Sequence, residues 1–204
     1  MKVFRKVKIK PDRYEIGDQI KIKLKDGRVT TATCHDVNSS RALFVFDQII
    51  AERPMNTEGG TEGGWEESDL RNWLHYTFYK SLPKKLKKVI IRDEGDYLRL
   101  LYFTEVFGSE NIPSWISKAQ IKKRLPLMEK RINRIGIDTD DDFAYWWLRD
   151  VAYSTSFALV FAYGTAYTGS ASLSYGVRPA FAIQNLKSPS LVDGLEGETV
   201  ISED

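Results

Sequence analysis

The sequence predicts an α+β fold, because a β-rich first third is followed by an amphipathic helix and further strand patterns. Apolar and lysine residues alternate over Gln19–Leu24, the period of a half-buried strand, and Asp26-Gly27 favours a hairpin turn into a second strand over Arg28–Cys34. The apolar run Ala42–Ile50 predicts a central strand. Ser68 is placed to cap a helix whose apolar residues share one face: Leu70, Trp73, Leu74 and Phe78.

Shorter elements are predicted along the rest of the chain from the same cap, breaker and apolar-period signals. In order, they are a basic helix over Lys84–Lys88 after Pro83, a turn capped by Thr104 and ending at Gly108, a helix over Met128–Ile135, an acidic loop over Ile137–Asp142, and strands at Tyr145–Leu148 and Val177–Ile183.

Length and composition are those of one globular domain: 204 residues, 42% apolar and 28% charged. We expect a single domain over residues 1–184 and a loosely ordered acidic tail over 185–204, since Gln184–Asp204 carries Lys187 against five acids. The basic start is not followed by an apolar segment, and no uncharged run is apolar enough to span a membrane. We therefore expect no signal peptide, no membrane span, and synthesis in the cytoplasm.

One cysteine and two histidines limit the chemistry of the chain, since they exclude an internal disulfide and cysteine-rich or histidine-rich metal sites. A Cys34 nucleophile would need His35 or His75 as its base. Neighbouring strand residues point to opposite faces, and His75 lies off the apolar stripe of its helix, where we expect solvent. The sequence therefore predicts no catalytic site and no cofactor.

The acidic loop resembles the start of a calcium-binding loop, with Asp138, Asp140 and Asp142 at the first ligand positions. Phe143 and Arg149 occupy the positions that require Gly and Glu. A solvated loop is therefore favoured, and no metal site is expected.

The basic cluster Lys80–Arg92 (KSLPKKLKKVIIR) has two interpretations. Nucleic-acid phosphates could contact its lysines while Tyr79 stacks on a base. Alternatively, it is a solvated helix face offset by the acids that follow it. With a formal net charge of +2 for the whole chain, the second is favoured, and no nucleic-acid partner is expected.

No charged residue occurs from Val151 to Val177, a window of 27 positions of which 20 are Tyr, Ser, Ala, Gly or Thr. Large and small residues alternate between Phe157 and Tyr167, so an extended segment would have one large and one small face. Two interpretations stay open: a buried β-meander, or a recognition surface in which Tyr supplies rigid contact area while Ser and Gly adapt. The polar run Thr165–Ser170 is typical of an exposed loop.

Motifs in this region carry a resemblance to a known family. YWWLRD (Tyr145–Asp150), the uncharged window and YGVRPAFAI (Tyr175–Ile183) resemble the carboxy-terminal signature of an uncharacterised domain family of bacteria and their prophages. Similar short motifs upstream (SDLRNWL, TEVFG and EKRINRI) extend the resemblance to about residues 15–184. Members of this family resemble C-type lectins in fold, and many are variable proteins of diversity-generating retroelements. The resemblance thus implies a C-type-lectin-like fold with a variable-region-like segment at about residues 145–183.

In such systems a reverse transcriptase mutates template adenines, which yields residues such as Tyr, Ser and Ala but not Lys or Glu. The resemblance therefore implies an origin for the uncharged window. It implies that the variable, ligand-contacting residues are Tyr153, Ser156, Leu159, Phe161, Tyr163, Thr165, Tyr167, Thr168, Gly169, Ser170 and Leu173. It implies that the scaffold residues are Phe157, Val160, Gly164, Ala166, Ala171, Gly176, Arg178, Pro179 and Phe181, with Ala162 in either group.

The implied function is non-enzymatic binding of variable targets, such as a protein or a cell-surface ligand. The alternative is a fixed structural or tail-associated phage protein of the same fold, located on a virion. The second half of the chain lacks the cysteine that the formylglycine-generating oxidases of this fold class need. The chain also lacks the Glu-Pro-Asn and Gln-Pro-Asp motifs of calcium-dependent animal lectins, so calcium-independent binding is expected.

This interpretation predicts which side chains are exposed and which are buried. Tyr163, Thr165, Tyr167 and Thr168 are expected at the surface, whereas Val160, Gly164, Ala166, Trp146, Trp147 and Phe181 are expected inside. Arg178 is expected to pair with backbone carbonyls or with a carboxylate, for which Asp150 is the candidate, because an unpaired buried charge is too costly.

Overall fold

The computed structural model describes residues 13–116, 118–138 and 140–185. It confirms the α+β class, with mostly strands and a few short helices among these residues. Of the expected acidic tail, all but Asn185 lies outside the described residues. No helix in the described part of the chain is long and apolar enough to cross a membrane.

The first sheet has five strands in the order β1-β2-β3-β12-β5, and every pairing within it is antiparallel. The predicted hairpin forms with Gln19 opposite Thr33. The predicted central strand is also found, although it ends at Phe46 instead of Ile50. The strands are β1 (Gln19–Lys23), β2 (Val29–Val37), β3 (Arg41–Phe46), β5 (Ile90–Ile91) and β12 (Ala180–Gln184).

The second sheet has the order β10-β9-β8-β11-β4. Its pairings are antiparallel except that β11 runs parallel to β8, where Gly176 lies opposite Trp146. The strands are β4 (Ala51–Arg53), β8 (Trp146–Tyr153), β9 (Ser156–Val160), β10 (Ala166–Ser170) and β11 (Tyr175–Val177). A separate two-stranded ladder, β6 (Gly136–Ile137) with β7 (Phe143–Ala144), flanks the acidic loop.

The helices are short and lie mainly between β4 and β5. The first begins at the predicted cap, where the Ser68 side chain accepts a hydrogen bond from Arg71 N, and it continues through a π-helical turn over Leu74–Phe78. The helices are α1 (Asp69–Trp73), α2 (Tyr79–Ser81), α3 (Lys84–Lys87) and α4 (Phe103–Phe107).

Two hydrophobic clusters hold the elements together, and both sheets contribute to each. Successive residues of β3 point to opposite faces and so belong to different clusters. Phe44 and Phe46 lie in the first cluster, and Leu43 and Val45 lie in the second. The helices from α1 to α3 cover the first cluster through Leu70, Leu74, Phe78, Leu82 and Leu86. Trp146, Trp147 and Phe181 are fully buried, as expected.

The predicted single strand over Val177–Ile183 is wrong. Arg178 and Pro179 interrupt it, so that β11 belongs to the second sheet and β12 to the first. Proline has no N–H to donate to a ladder, which explains why the strand breaks there. The chain therefore leaves the second sheet at the end of β11 and enters the first sheet at β12.

Three other local expectations differ from the structure. Met128–Ile135 is part of two short 3₁₀ turns, Pro126–Glu129 and Arg131–Arg134, instead of one helix. Thr104 does not cap its helix but lies inside α4. The cap position is Tyr102, whose N–H donates to the Glu105 side chain at 2.8 Å. The expected loop Thr165–Ser170 contains the edge strand β10.

Candidate ligand-binding surface

The β9–β10 hairpin builds the centre of the uncharged window. Its turn is closed by Phe161 N donating to Thr165 O and Gly164 N donating to Phe161 O, both at 2.7 Å. Gly164 has φ of +77°, the left-handed conformation that a three-residue hairpin loop requires at its last position. Arg131 Nε donates to Tyr163 O at 2.7 Å, which ties the exposed tip to the body of the protein.

The predicted alternation of large and small residues is present, but the large face changes character along its length. Small even-numbered residues up to Gly164 are buried. Phe157 and Leu159 on the large face are fully buried in the first cluster. Phe161 is half-buried, and Tyr163 and Tyr167 are each 55% exposed. The segment is therefore core at its start and surface from Phe161 onward.

A continuous group of six aromatic rings lies at this end of the hairpin. Phe161 is its centre, with ring centroids 4.6 Å from Tyr145, 5.7 Å from Tyr163 and 5.8 Å from Tyr167. Phe143 lies 6.2 Å from Tyr163, and Tyr175 lies 5.8 Å from Tyr145. We call this group the aromatic platform: Phe143, Tyr145, Phe161, Tyr163, Tyr167 and Tyr175.

Tyr175 joins the aromatic platform to the interior. Its ring centroid lies 4.9 Å from that of the fully buried Trp147. The pKa of Tyr175 is raised, first by burial and then by proximity to the ionisable hydroxyls of Tyr145 and Tyr167. The platform is thus fixed on its inner side by the core, while Phe143, Tyr163 and Tyr167 are more than half exposed on its outer side.

The remaining exposed residues of the window lie at the other end of β10. Antiparallel pairing puts Ser170 opposite Ser156 at this end. Tyr153 and Leu173 are exposed, and Thr61 in the loop before α1 donates its hydroxyl to Tyr153 O at 3.1 Å. The residues implied to contact a ligand therefore divide between two ends of the sheet.

Nine of the eleven implied variable residues are at least partly exposed: Tyr153, Tyr163, Thr165, Tyr167 and Leu173 are exposed, and Ser156, Phe161, Thr168 and Ser170 are half-buried. Thr168 is thus less exposed than expected. Among the scaffold residues, Val160 and Gly164 are buried as expected, and Ala166 is only half-buried. Ala162 is buried.

Two implied contact residues need correction, because their positions are inside the protein. The Leu159 side chain is fully buried in the first cluster, where β8 and β10 flank it on both sides. Gly169 is also buried, beneath the ring of Tyr175. Neither residue contributes a side chain to the surface.

Three members of the aromatic platform were missed by sequence reasoning: Phe143, Tyr145 and Tyr175. Tyr145 and Tyr175 belong to the recognised motifs, and Phe143 follows the acidic loop. Only the pairing of β11 with β8 and the β6–β7 ladder bring them to the hairpin. The signal in the sequence that could have identified these three residues was the number of aromatic residues near the two ends of the uncharged window.

Arg178 is paired with main-chain carbonyls, which is one of the two kinds of partner that we expected. Its Nε donates to Phe46 O (2.8 Å) and its Nη1 donates to Asn133 O (2.9 Å). The alternative partner Asp150 is wrong, because that carboxylate accepts the N–H of Phe103 instead. Burial lowers the pKa of Arg178 to about 10.

A buried ionic network lies next to β8, which contributes Arg149 to it. Arg99 donates to both carboxylate oxygens of Glu105 at 2.7 Å and to Asp93 at 2.8 Å. Arg149 lies over the ring of Tyr102 and donates to Glu66 at 2.8 Å. Such pairing balances buried charges and fixes the loops that carry them, although Nη1 of Arg149 has no hydrogen-bond partner among the described residues.

The residues considered for catalysis lie apart from the aromatic platform. Cys34 and His35 are buried in β2, and burial, followed by the charge of Arg178, lowers the pKa of His35 to about 3. His75 is half-buried and its Nε2 lies 3.0 Å from Leu98 O, so its expected position in solvent is wrong.

The acidic loop closes on itself, because Asp138 Oδ1 accepts the N–H groups of Asp140 and Asp142. No group of three or more His, Cys, Asp or Glu residues suited to holding a metal ion occurs in residues 13–116, 118–138 and 140–185.

Comparison with known proteins identifies a family. The model of a domain of unknown function, DUF6273, matches residues 40–99 and 96–185, a span that includes β3, the helices and the whole aromatic platform. No curated protein and no solved structure matches the chain. Since the matched residues are more than half of the chain, the protein belongs to the family described as the domain of unknown function DUF6273.

Proposed function

We propose that this chain is a non-enzymatic ligand-binding protein whose aromatic platform contacts a protein or a cell-surface ligand. The observation that carries the proposal is the exposure of Phe143, Tyr163 and Tyr167, at 58%, 55% and 55%, within a continuous group of rings. A contiguous exposed apolar patch on a folded domain is typical of an interaction site.

The chemistry of the platform suits binding without a reaction. Tyrosine side chains bring large, rigid contact areas at a low cost in conformational entropy, and their hydroxyls add hydrogen bonds. The residues of the hairpin carry no charge that a ligand would have to desolvate. Tyr175 and Phe161 hold the exposed rings in place before any ligand arrives, which lowers the entropy lost on binding.

We further propose that the fold is C-type-lectin-like and that a retroelement diversifies the surface. The burial pattern supports this, because the exposed Tyr163, Thr165 and Tyr167 alternate with a buried Gly164 and a half-buried Ala166. Side chains can change at the exposed positions without disturbing the core. This separation of tolerant and intolerant positions is what diversification on a fixed scaffold requires.

Sequencing the gene segment for Trp146–Ile183 in close isolates tests diversification. We expect substitutions at Tyr163, Thr165 and Tyr167, concentrated at template adenines, while Leu159 and Gly164 stay unchanged. Changes spread evenly over buried and exposed codons would contradict diversification. A fully constant segment would support the fixed phage structural protein instead.

A displayed library tests the binding role directly. Tyr163, Thr165 and Tyr167 are randomised together, and the library is selected against three unrelated purified proteins. The control library randomises Gln19, Lys21 and Lys23, which are also exposed and lie on β1. We expect folded binders from the first library alone; equal yields from both, or none from either, would contradict the proposal.

A further inference from the structure

A second surface, formed by cations from two distant parts of the sequence, lies between β1 and α3. Lys25 N donates to Ser81 O at 2.9 Å, which brings the turn after β1 against the end of α2. The pKa of Lys87 is lowered, first by burial and then by the charges of Lys25 and Lys84. We call this surface the basic patch: Lys25, Lys80, Lys84, Lys85, Lys87, Lys88 and Arg92.

The acids that follow the basic cluster in sequence do not neutralise it. Asp93 pairs with Arg99 and Arg41. Glu94 pairs with Lys122, and Asp96 pairs with Arg71. The adjacent Asp26 pairs with Arg28. The sequence-based expectation of a face offset by following acids therefore fails in this structure.

Among the described residues, no cation of the basic patch takes part in an ion pair. Since the whole chain has a formal net charge of +2, the seven cations leave the other residues with −5. The near-neutral total therefore conceals a polarised charge distribution. Local potential, and not net charge, decides whether a polyanion is attracted to a surface.

Two cations of the basic patch are held in place by rings instead of by carboxylates. Tyr79 and Tyr97 stack with centroids 5.3 Å apart. Lys87 Nζ lies 5.8 Å from the centroid of Tyr79, and the Arg92 guanidinium carbon lies 5.1 Å from that of Tyr97. Cation–π contacts orient both charges and leave their remaining N–H donors free for an anion.

We propose that the basic patch binds the phosphate backbone of double-stranded nucleic acid without reading its sequence. Each of the two rings already contacts the other ring and a cation, which favours a duplex over a single strand whose bases would stack on them. None of the large exposed apolar side chains of the described residues belongs to Tyr79–Arg92, and a membrane-surface site would need such side chains to insert.

Fluorescence anisotropy with a labelled 20-base-pair DNA duplex tests this inference on the full chain. If the basic patch neutralises about four phosphates, its affinity for the duplex should fall about 10²-fold between 50 and 200 mM salt. The triple variant Lys84→Gln, Lys85→Gln, Lys88→Gln is expected to bind at least tenfold more weakly at 50 mM salt and to show a shallower salt dependence. All three lysines are exposed, so the fold is retained, and circular dichroism checks this.

The matched control is Lys118→Gln, Lys123→Gln, Lys130→Gln, which removes the same charge from exposed lysines elsewhere. Its affinity for the duplex is expected to stay within twofold of the unchanged protein. Equal losses in the two triple variants would show attraction by total charge and overturn the assignment. The assignment would also be overturned if no binding were detected at 50 mM salt, or if the protein bound phosphatidylserine vesicles more tightly than the duplex.

Discussion

The ring of Tyr175 covers Gly169 so closely that a Cβ placed on the glycine would lie 2.5 Å from Cε2 of the tyrosine and 2.6 Å from Cδ2 of Leu159. The contact joins β10 to a ring that also packs on Trp147 in the core. It explains why a residue in the uncharged window is part of the scaffold. Glycine is the residue that lets an aromatic side chain lie directly on the backbone of the edge strand.

Substitution Gly169→Ala is therefore expected to destabilise the protein by about 1–3 kcal/mol, because Tyr175 or Leu159 has to move. Urea unfolding measures the change in free energy. In a Tyr175→Ala background the same substitution should cost at least about 0.5 kcal/mol less, since the ring is gone. Full additivity of the two changes would show that the ring contact is not the cause.

Substitution Gly164→Ala is expected to cost more than the same change at Gly27. Both glycines have positive φ, +77° and +92°, so both variants carry backbone strain of about 1–2 kcal/mol. Only at Gly164 does the added Cβ also meet an atom, Arg131 O at 2.8 Å, while nothing lies within 4 Å at Gly27. Thermal unfolding of the two variants compares them, and equal losses would contradict a steric role for Arg131.

Substitution Asp150→Asn is expected to change the pH dependence of stability. Burial raises the pKa of Asp150 to about 6, above its value of about 3.9 in an unfolded chain, so the native state loses stability as pH rises from about 4 to about 6. Asparagine keeps an acceptor for Phe103 N but carries no charge. The free energy of unfolding of the variant, relative to that of the unchanged protein, should therefore increase by on the order of 3 kcal/mol between pH 4 and pH 7.

Urea unfolding at a series of pH values from 4 to 7 measures this gain, and the difference between the two proteins should be smallest at pH 4. The exposed Asp140→Asn serves as the control, for which we expect no comparable slope. A constant difference across the series would show that Asp150 does not titrate with a raised pKa.

Substitution Arg178→Met is expected to destabilise the protein by about 3–5 kcal/mol, because it leaves Phe46 O and Asn133 O without their buried donor. Arg28 also donates to a backbone oxygen, Ile50 O, but its side chain is exposed. The control Arg28→Met should therefore cost less than about 1 kcal/mol. Similar losses for the two variants, measured by urea unfolding, would contradict the role of burial.

Local patterns in the sequence predicted much of the fold. Alternation at Gln19–Leu24, the cap at Ser68 and the apolar run from Ala42 each produced the expected element, because period and capping act over a few neighbouring residues. Val177–Ile183 failed because one apolar run can belong to two sheets. Residue period carries no information on which sheet a strand joins.

For the candidate surface, the sequence predicted a region but not its members. The absence of charge and the spacing of large residues identified the uncharged window, and Tyr163 and Tyr167 are exposed there as expected. The same spacing placed Leu159 on the same face, where the first cluster buries it. Exposure depends on what covers a face, and the covering residues come from elsewhere in the chain.

By itself, the sequence determined the α+β class, the charge-free window and the need of Arg178 for partners, since composition, period and the cost of an unpaired charge are properties of the residues themselves. Only the tertiary structure decided that Phe46 and Asn133 supply those partners, that six rings from three strands and two loops meet at one end of a sheet, and that Asp93, Glu94 and Asp96 neutralise other cations than their neighbours in sequence. Each of these depends on contacts between distant segments, which strand pairing and burial select and which no local pattern encodes.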